Sequence, residues 1–228
     1  MNWMAFITGA MGLFFAGAVF ERYRQRRGMH LLAWAFGALL YGLAALAEAL
    51  LSQGFSVAAL KIWYLGGAML TAPWLGQGTI YLLERRRYVA PVLGAILLVL
   101  TFFSLELLRA APVDLSAGFD LAAPLSEQYR HILIRNGVIV ALTIILNIYG
   151  TLALAGGAIY SAYLFWRKQV LLHRAAGNVL IAAGAILPAT GGSAVLAGVA
   201  DWHSLSLLLG VILLYVGYVL ATPAQDNG

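Results

Sequence analysis

The uncharged stretch between Lys61 and Glu84 constrains the fold of this chain more than any other feature of its sequence. About 20 apolar residues in an α-helix cross the hydrocarbon core of a bilayer, and this stretch is long enough to do so. Over the whole chain 62% of the residues are hydrophobic and 10% are charged, whereas roughly a quarter of a soluble domain is charged. The sequence therefore predicts an all-α integral membrane protein.

Hydrophobic stretches of similar length recur along the chain and predict a seven-transmembrane-helix bundle, a single domain of residues 1–228. The predicted spans are residues 3–20, 29–51, 61–84, 91–108, 136–166, 175–196 and 205–222. One long loop, residues 110–134, separates the fourth span from the fifth. A loop of that length is expected to have a function or to hold a surface-lying helix of its own.

The basic residues predict which way the bundle is oriented. Ten of the 14 lysine and arginine residues fall in three loops on one side of the predicted membrane. Because such residues mark cytoplasmic loops, we expect the N-terminus outside and the C-terminus in the cytoplasm. The inner set is Arg22, Arg24, Arg26, Arg27, Arg85, Arg86, Arg87, Arg167, Lys168 and Arg174, and the outer set is Lys61, Arg109, Arg130 and Arg135. This clustering explains the net charge of +5 by contact with membrane lipids rather than with nucleic acid.

The chain also shows a weak internal repeat. Sliding it on itself by 143 residues places the first three predicted spans on the last three without a gap. The superposed identities are Arg24 on Arg167, His30 on His173, Ala33 on Ala176 and Gly67 on Gly210. A parallel 3+1+3 repeat about an axis along the membrane normal would follow.

One face of the third predicted span carries its large polar and aromatic groups, at about 100° per residue. We expect this face to look into the bundle and to contact a ligand, together with two carboxamides from later spans. The candidate ligand-binding residues are Trp63, Trp74, Gln77, Tyr81, Asn147 and Asn178. On the same span, small residues at spacing four allow a neighbouring backbone to approach, and Pro73 can bend the helix. This stripe consists of Ala68, Ala72 and Gly76.

Ionisable residues near the outer helix ends form a second candidate set, because charge inside a membrane is costly. This outer polar cluster consists of Glu48, Lys61, Glu106, Arg135, Asp201 and His203. These residues could line an outward-facing polar vestibule, or they could be interfacial residues that are solvated or form exposed ion pairs. Glu48 stands apart because apolar residues follow it as well as precede it.

Several kinds of chemistry are disfavoured by what the sequence lacks. Without cysteine there is no disulfide, thiol chemistry or iron–sulfur ligation. None of the four histidines is placed in mid-membrane for a buried haem, and the seventh span has no lysine for a retinal Schiff base. No zinc-protease or nucleophile-elbow motif occurs. We therefore expect no cofactor, no bound metal and no catalytic residue.

Two segments resemble a known family. They are RRGMHLLAWAFGALLYGLAALAEAL, residues 26–50, and LKIWYLGGAMLTAPWLGQGTIYLL, residues 60–83. They resemble the second and third helices of the seven-transmembrane sensor region at the N-terminus of some bacterial histidine kinases and related signalling proteins. In that family an arginine-led helix ending in an acidic residue precedes a helix with a Trp-x-x-x-Tyr-Leu-Gly-like motif and a later proline. The comparable positions here are Glu48, Trp63, Tyr64-Leu65-Gly66 and Pro73.

The resemblance implies a sensor in a bacterial cytoplasmic (inner) membrane. The family places a kinase or cyclase domain after the seventh helix, whereas this sequence ends at Gly228. The resemblance therefore implies a stand-alone sensor, without an attached signalling domain, that acts through a partner membrane protein or as a homo-oligomer.

Three functional hypotheses remain open from the sequence. The first is a receptor-like or accessory module that binds an apolar or amphipathic ligand, or a protein partner, without chemistry. The second is a small-solute transporter with a central site, formed by Gln77, Asn147 and Asn178, between two three-helix repeats. The third is a membrane-embedded lipid-modifying enzyme that uses Glu48 as acid or base.

Overall fold

The computed structural model describes residues 2–121, 123–167, 172–196 and 201–221, without the side chains of residues 189–196 and 201. Within these ranges the chain is helical and contains no β-strand. The α-helices are α1 (Trp3–Arg26), α2 (Met29–Leu51), α3 (Val57–Trp63), α4 (Thr71–Leu83), α5 (Val89–Ala110), α6 (Leu125–Ile132), α7 (Gly137–Thr151), α8 (Gly157–Arg167), α9 (Leu172–Leu196) and α10 (Asp201–Ala221). Two π-helical segments, Tyr64–Leu70 and Leu152–Gly156, join α3 to α4 and α7 to α8.

Five helical stretches of the described chain are long and apolar enough to cross a membrane. They are Trp3–Arg26, Met29–Leu51, Val89–Ala110, Gly137–Arg167 and Trp202–Ala221. By length and composition the chain is thus an all-helical, multi-pass membrane protein, which confirms the coarse prediction from the sequence. The helices at the third and sixth predicted spans are not among these five.

The third predicted span lies in a continuous helical stretch, residues 57–83, that changes type twice. α3 passes into the π-helical segment at Tyr64, and α4 begins at Thr71. Pro73 is the third residue of α4 and follows the π-helical segment closely, so its missing N–H removes one donor from the continuous helical hydrogen-bond ladder. The π-helical irregularity itself lies in the residues before Thr71. Such π-helical segments are frequent at functional sites.

α1 extends well beyond the span predicted for it, which stopped at residue 20. The prediction followed hydropathy and ended at the first charged residue, whereas glutamate and arginine are good helix formers and continue the helix to Arg26. Arg27 then adopts a left-handed conformation, with φ 52°, and ends the helix.

Helices α1 and α7, which begin at the same end of the bundle, are each capped by a preceding side chain. Asn2 Oδ1 accepts from the N–H of Ala5 (3.1 Å), and Asn136 Oδ1 accepts from the N–H of Ile139 (2.9 Å). Each bond satisfies a backbone donor that the first turn of a helix leaves free. We call this end the cap end and the opposite end, which carries the arginine clusters, the arginine-rich end.

Glycine contacts bring the main helices close together. A Cβ added to Gly12 of α1 would lie 2.7 Å from the Cα of Gly42 in α2, and one added to Gly184 of α9 would lie 2.8 Å from the carbonyl oxygen of Gly210 in α10. These two helix pairs therefore pack backbone against backbone. In a membrane, such contacts replace the hydrophobic drive that packs helices in water.

The long loop folds into a structured segment, which we call the cap and which comprises residues 111–121 and 123–136. The N–H of Asp114 donates to the carbonyl of Ile132 (2.8 Å), and the N–H of Ile134 donates to the carbonyl of Pro112 (3.0 Å). Leu125 and Leu133 are buried in the apolar cluster that also contains residues of α2, α3 and α7. The cap is thus packed onto the bundle and contains the short helix α6, in line with the expectation for a loop of this length.

An exposed turn in the cap is fixed by one aspartate. Both the hydroxyl and the backbone N–H of Ser116 donate to Asp114 Oδ1, at 2.6 and 2.9 Å. These hydrogen bonds hold the pKa of Asp114 below its usual value.

Candidate functional site

A cavity of about 310 Å³ lies between α2, α4, α7, α9 and α10, and α6 of the cap closes its cap end. We call it the central cavity. Its volume is at the lower end of the range for small-molecule pockets, and its wall is mostly apolar with a few polar groups. The lining residues are Tyr41, Ala44, Ala45, Glu48, Trp63, Gly67, Ala68, Thr71, Ala72, Leu75, Ser126, Tyr129, Arg130, Asn147, Thr151, Leu154, Gly184, Ala185, Pro188, His203, Leu207 and Leu214.

Glu48 is the only carboxylate among the described residues that line the central cavity. It lies in the last turn of α2, and 8% of its surface is exposed. Its Oε2 accepts a hydrogen bond from Trp63 Nε1 (3.2 Å), and its Oε1 accepts one from Asn2 Nδ2 (3.5 Å). A carboxylate offers about four acceptor sites, so these two neutral donors leave capacity for a further donor.

The cap reaches the central cavity through one face of α6. The ring of Tyr129 lies 5.1 Å from the ring of Trp63, measured between centroids. The guanidinium of Arg135 lies 4.9 Å from the Tyr129 centroid and 5.7 Å from that of Tyr64. This cation–π arrangement joins the cap to the helical stretch of residues 57–83. The aromatic groups therefore form a wall between the cavity and the cap-end surface.

Three of the lining residues have buried polar atoms without a hydrogen-bond partner in the described part of the chain. They are the Thr71 hydroxyl, the Ser126 hydroxyl and Nδ1 of His203. Buried polar groups in proteins are normally paired, by protein or by ordered water. Asn147 differs, because its Nδ2 already donates to the carbonyls of Ala68 (2.6 Å) and Thr143 (2.8 Å).

A second cavity, of about 730 Å³, lies under the cap and is called the cap cavity. Its wall includes the first residues of α1, the end of α2, and Phe119, Leu121 and residues 123–126 of the cap. It shares Glu48, Ser126 and His203 with the central cavity. The shared residues are polar, so a molecule that enters under the cap meets them before it reaches the apolar interior.

The structure divides the six ligand-binding candidates among three places. Trp63 and Asn147 line the central cavity, and Asn178 lines a separate cavity at the arginine-rich end. Trp74, Gln77 and Tyr81 lie outside the lining of the central cavity. The three carboxamides expected at one transport site therefore do not meet.

Gln77 and Trp74 form hydrogen bonds that connect the third predicted span to α5 and α7. Gln77 is fully buried; its Nε2 donates to the carbonyl of Ala90 (2.8 Å), and its Oε1 accepts from the hydroxyl of Tyr149. Trp74 Nε1 donates to Thr101 Oγ1 (3.1 Å). These side chains satisfy one another between helices, which is the ordinary use of polar groups inside a bundle.

The outer polar cluster is also divided. Glu48 and His203 line the central cavity, whereas Lys61 Nζ donates to the carbonyl of Arg109 (2.9 Å) at the surface. Glu106 forms an exposed ion pair with Arg109 (2.9 Å), of a kind that contributes little stability. Arg135 packs on the aromatic rings described above, and the side chain of Asp201 lies outside the described residues.

Sequence reasoning missed Tyr41, Thr71 and the cap residues Ser126 and Tyr129. The hydroxyl of Tyr41 donates to the carbonyl of Leu207 (2.7 Å) and so joins α2 to α10 at the cavity wall. Within α6, the spacing of Leu125, Tyr129 and Ile132 predicts one inward face, and this signal could have identified the cap contact.

Within the described ranges, no three His, Asp or Glu side chains come together as metal ligands. Comparison of the chain with protein-family models, with curated proteins and with solved structures found no match.

Proposed function

We propose that this protein is a receptor-like or accessory membrane module that binds a small amphipathic molecule in the central cavity, without chemistry. One observation carries the proposal: a largely apolar cavity that holds the buried carboxylate of Glu48 at its cap end and whose wall also includes the Thr71 hydroxyl and His203 Nδ1, two buried polar atoms without a hydrogen-bond partner among the described residues. An apolar body and a polar head on the ligand would match these two parts of the wall.

The proposed head group donates hydrogen bonds. Glu48 supplies acceptors, and Tyr129 and Trp63 supply aromatic faces that favour a cation. Arg130 lines the same end, so a zwitterionic head is also compatible. A primary alkylamine such as n-octylamine is therefore a suitable probe, and octanoate is the comparison of equal chain length.

The proposed membrane arrangement has seven spans, with the N-terminus outside and the C-terminus inside a bacterial cytoplasmic membrane. The continuous helical stretches of residues 57–83 and 172–196 supply the two further spans, because about 20 helical residues cover a bilayer core. The positive-inside rule supports the orientation, since the arginine-rich end would be cytoplasmic. The cap cavity would then open outward.

Two further features belong to the proposal. A parallel 3+1+3 repeat is supported by packing order, because α2 packs between α1 and α4 as α9 packs between α8 and α10. The resemblance to histidine-kinase sensor regions supports coupling of ligand binding to a partner membrane protein or to a second copy of the chain.

A lipid-modifying enzyme is the second candidate, because Glu48 and His203 line the same end of one cavity. The carrier hypothesis has weaker support. The central cavity shares no described lining residue with the cavity at the arginine-rich end, and Trp34 lies between them, with its Nε1 donating to the carbonyl of Leu75 (3.0 Å).

Native mass spectrometry of the protein extracted with its own lipids tests the proposal. The wild-type chain should retain a stoichiometric small molecule that n-octylamine displaces and octanoate does not. The cavity-filling variants Ala68→Leu and Ala185→Leu should lose it, whereas Ala141→Leu, on an exposed face of α7, should keep it. Equal retention by all four proteins would contradict the proposal, and a chemically altered molecule would favour the enzyme.

A further inference from the structure

A third cavity, of about 420 Å³, lies at the arginine-rich end, and we call it the basic cavity. Its wall joins the ends of α1, α4, α8 and α10 to the beginnings of α2 and α9. Four of the described side chains that line it are basic: Arg22, Arg26, His30 and Arg174. No described lining residue is acidic, so the cavity has a single sign of charge.

The basic groups converge although they come from three helices. Arg22 of α1 is a charged neighbour of both His30 of α2 and Tyr218 of α10. Arg174 enters from the first turn of α9. Like charges held together in a half-buried space repel one another, and an anion between them relieves that repulsion.

Arg174 gives independent evidence for an anion. Its Nε is buried and has no hydrogen-bond partner among the residues that the structure describes. A buried guanidinium donor normally meets an oxygen acceptor, and the planar fork of arginine matches phosphate and carboxylate oxygens.

Helix α2 adds a partial positive charge at the same place. It begins at Met29, and no side chain caps its first turn, which contains the lining residue His30. Free N–H groups at a helix N-terminus favour phosphate oxygens nearby.

Much of the remaining wall is apolar and includes Leu31, Leu82, Phe165 and Ile181, and its polar members are Thr79, Ser161, Asn178 and Tyr218. A phosphate group at the arginines with a hydrocarbon chain along the apolar residues would satisfy both parts of the wall. Basic pockets between membrane helices on the cytoplasmic side bind anionic lipid headgroups in this way.

We propose that the basic cavity is a binding site for a phosphate group, carried by an anionic phospholipid or by free phosphate. The site is separate from the central cavity, so its test does not depend on the proposed function. Arg22, Arg174 and the first turn of α2 bind the phosphate oxygens.

Lipid retention in native mass spectrometry tests this site. The protein is loaded with phosphatidylglycerol or phosphatidylcholine, and inorganic phosphate is added as competitor. The wild-type chain should retain one phosphatidylglycerol at least tenfold more tightly than phosphatidylcholine. If inorganic phosphate displaces the lipid, the free anion also binds; if it does not, the site is lipid-specific. Both results support the phosphate site.

Matched charge variants separate a built site from general surface attraction. Arg174→Gln should lower the affinity for phosphatidylglycerol about tenfold, whereas Arg85→Gln, an exposed arginine at the same end, should change it less than twofold. Arg26→Gln serves as a second variant from another helix if Arg174→Gln does not fold. Equal losses from the lining and the control variants, or no preference for the anionic lipid, would overturn the proposal.

Discussion

The helical stretch of residues 57–83 has two faces that differ in what they contact. On one face, Trp74 and Gln77 donate hydrogen bonds to α5. On the other face, Ala68, Thr71 and Ala72 line the central cavity. Apart from Trp63, which lines the cavity, the face with large side chains thus holds neighbouring helices, and the face with small side chains borders the candidate ligand site.

The difference follows from the membrane as a solvent. Apolar side chains gain little free energy by moving from lipid to a helix interface. Polar side chains that form hydrogen bonds between helices therefore contribute to helix association in a membrane. α5 is the least buried of the five membrane-spanning helices identified above, and it depends on such bonds. Small residues, in contrast, either admit a neighbouring backbone or leave space. The π-helical segment before Thr71 contributes Gly67 and Ala68 to the cavity wall.

The largest expected effect is at the deep end of the small-residue face, where α4 packs on α7. A side chain at Gly150 would collide with the backbone of Ala72 and Pro73. Gly150→Leu should therefore destabilise the fold by on the order of 3 kcal/mol, measured as thermal stability in detergent. Gly156→Leu is the control, because nothing lies within 4 Å of its Cβ position. Similar losses of thermal stability in both variants would show that Gly150 does not pack closely against the backbone of Ala72 and Pro73.

Gln77→Leu should give the next largest effect, and on stability alone. The substitution removes the hydrogen bonds that the Gln77 side chain forms with the Ala90 carbonyl and the Tyr149 hydroxyl. This loss should lower the free energy of unfolding by roughly 1–3 kcal/mol. Tyr149→Phe should cost less, because the bond from Gln77 to Ala90 remains. Ligand bound per folded molecule should not change in either variant. Loss of ligand at unchanged stability would move Gln77 into the ligand site.

Substitutions of Glu48 should change ligand binding, and Glu48→Leu should also lower stability because it leaves the buried Trp63 Nε1 donor without its acceptor. Glu48→Leu removes the one carboxylate among the described residues that line the cavity and should weaken n-octylamine binding about tenfold, or about 1.4 kcal/mol. Glu48→Gln keeps an acceptor for Trp63 and should weaken binding less. Competition with the co-purified molecule measures both. Unchanged binding in the Glu48→Leu variant would place the head group elsewhere.

The sequence predicts the helices better than their contacts. Runs of apolar residues and clusters of arginine locate the helical stretches, because the cost of burying charge in lipid is large. The same reasoning identifies the common face of Trp74, Gln77 and Tyr81, since helical periodicity alone determines it. It does not determine which neighbour that face meets. That neighbour is α5, because the carbonyl of Ala90 and the hydroxyl of Thr101 lie within reach.

The central cavity was harder to predict because it forms where small side chains leave space between helices. Gly67, Ala68 and Thr71 border it by being small, and the cap residues reach it only after the loop has folded back. Periodicity records which residues share a helix face and says nothing about space between helices. Glu48 was identifiable from the sequence, because a carboxylate followed by apolar residues needs a buried partner.

Cysteine accessibility tests the central claim most directly, since the chain has no cysteine of its own. Ala68→Cys places one thiol on the cavity wall, and Ala141→Cys places one on an exposed face of α7. Only a thiol that meets water ionises and reacts with a membrane-impermeant thiosulfonate. The account predicts that Ala68→Cys reacts from the cap side and that n-octylamine protects it, while Ala141→Cys stays unlabelled. No labelling of Ala68→Cys, or labelling that n-octylamine leaves unchanged, would contradict a ligand cavity on the small-residue face.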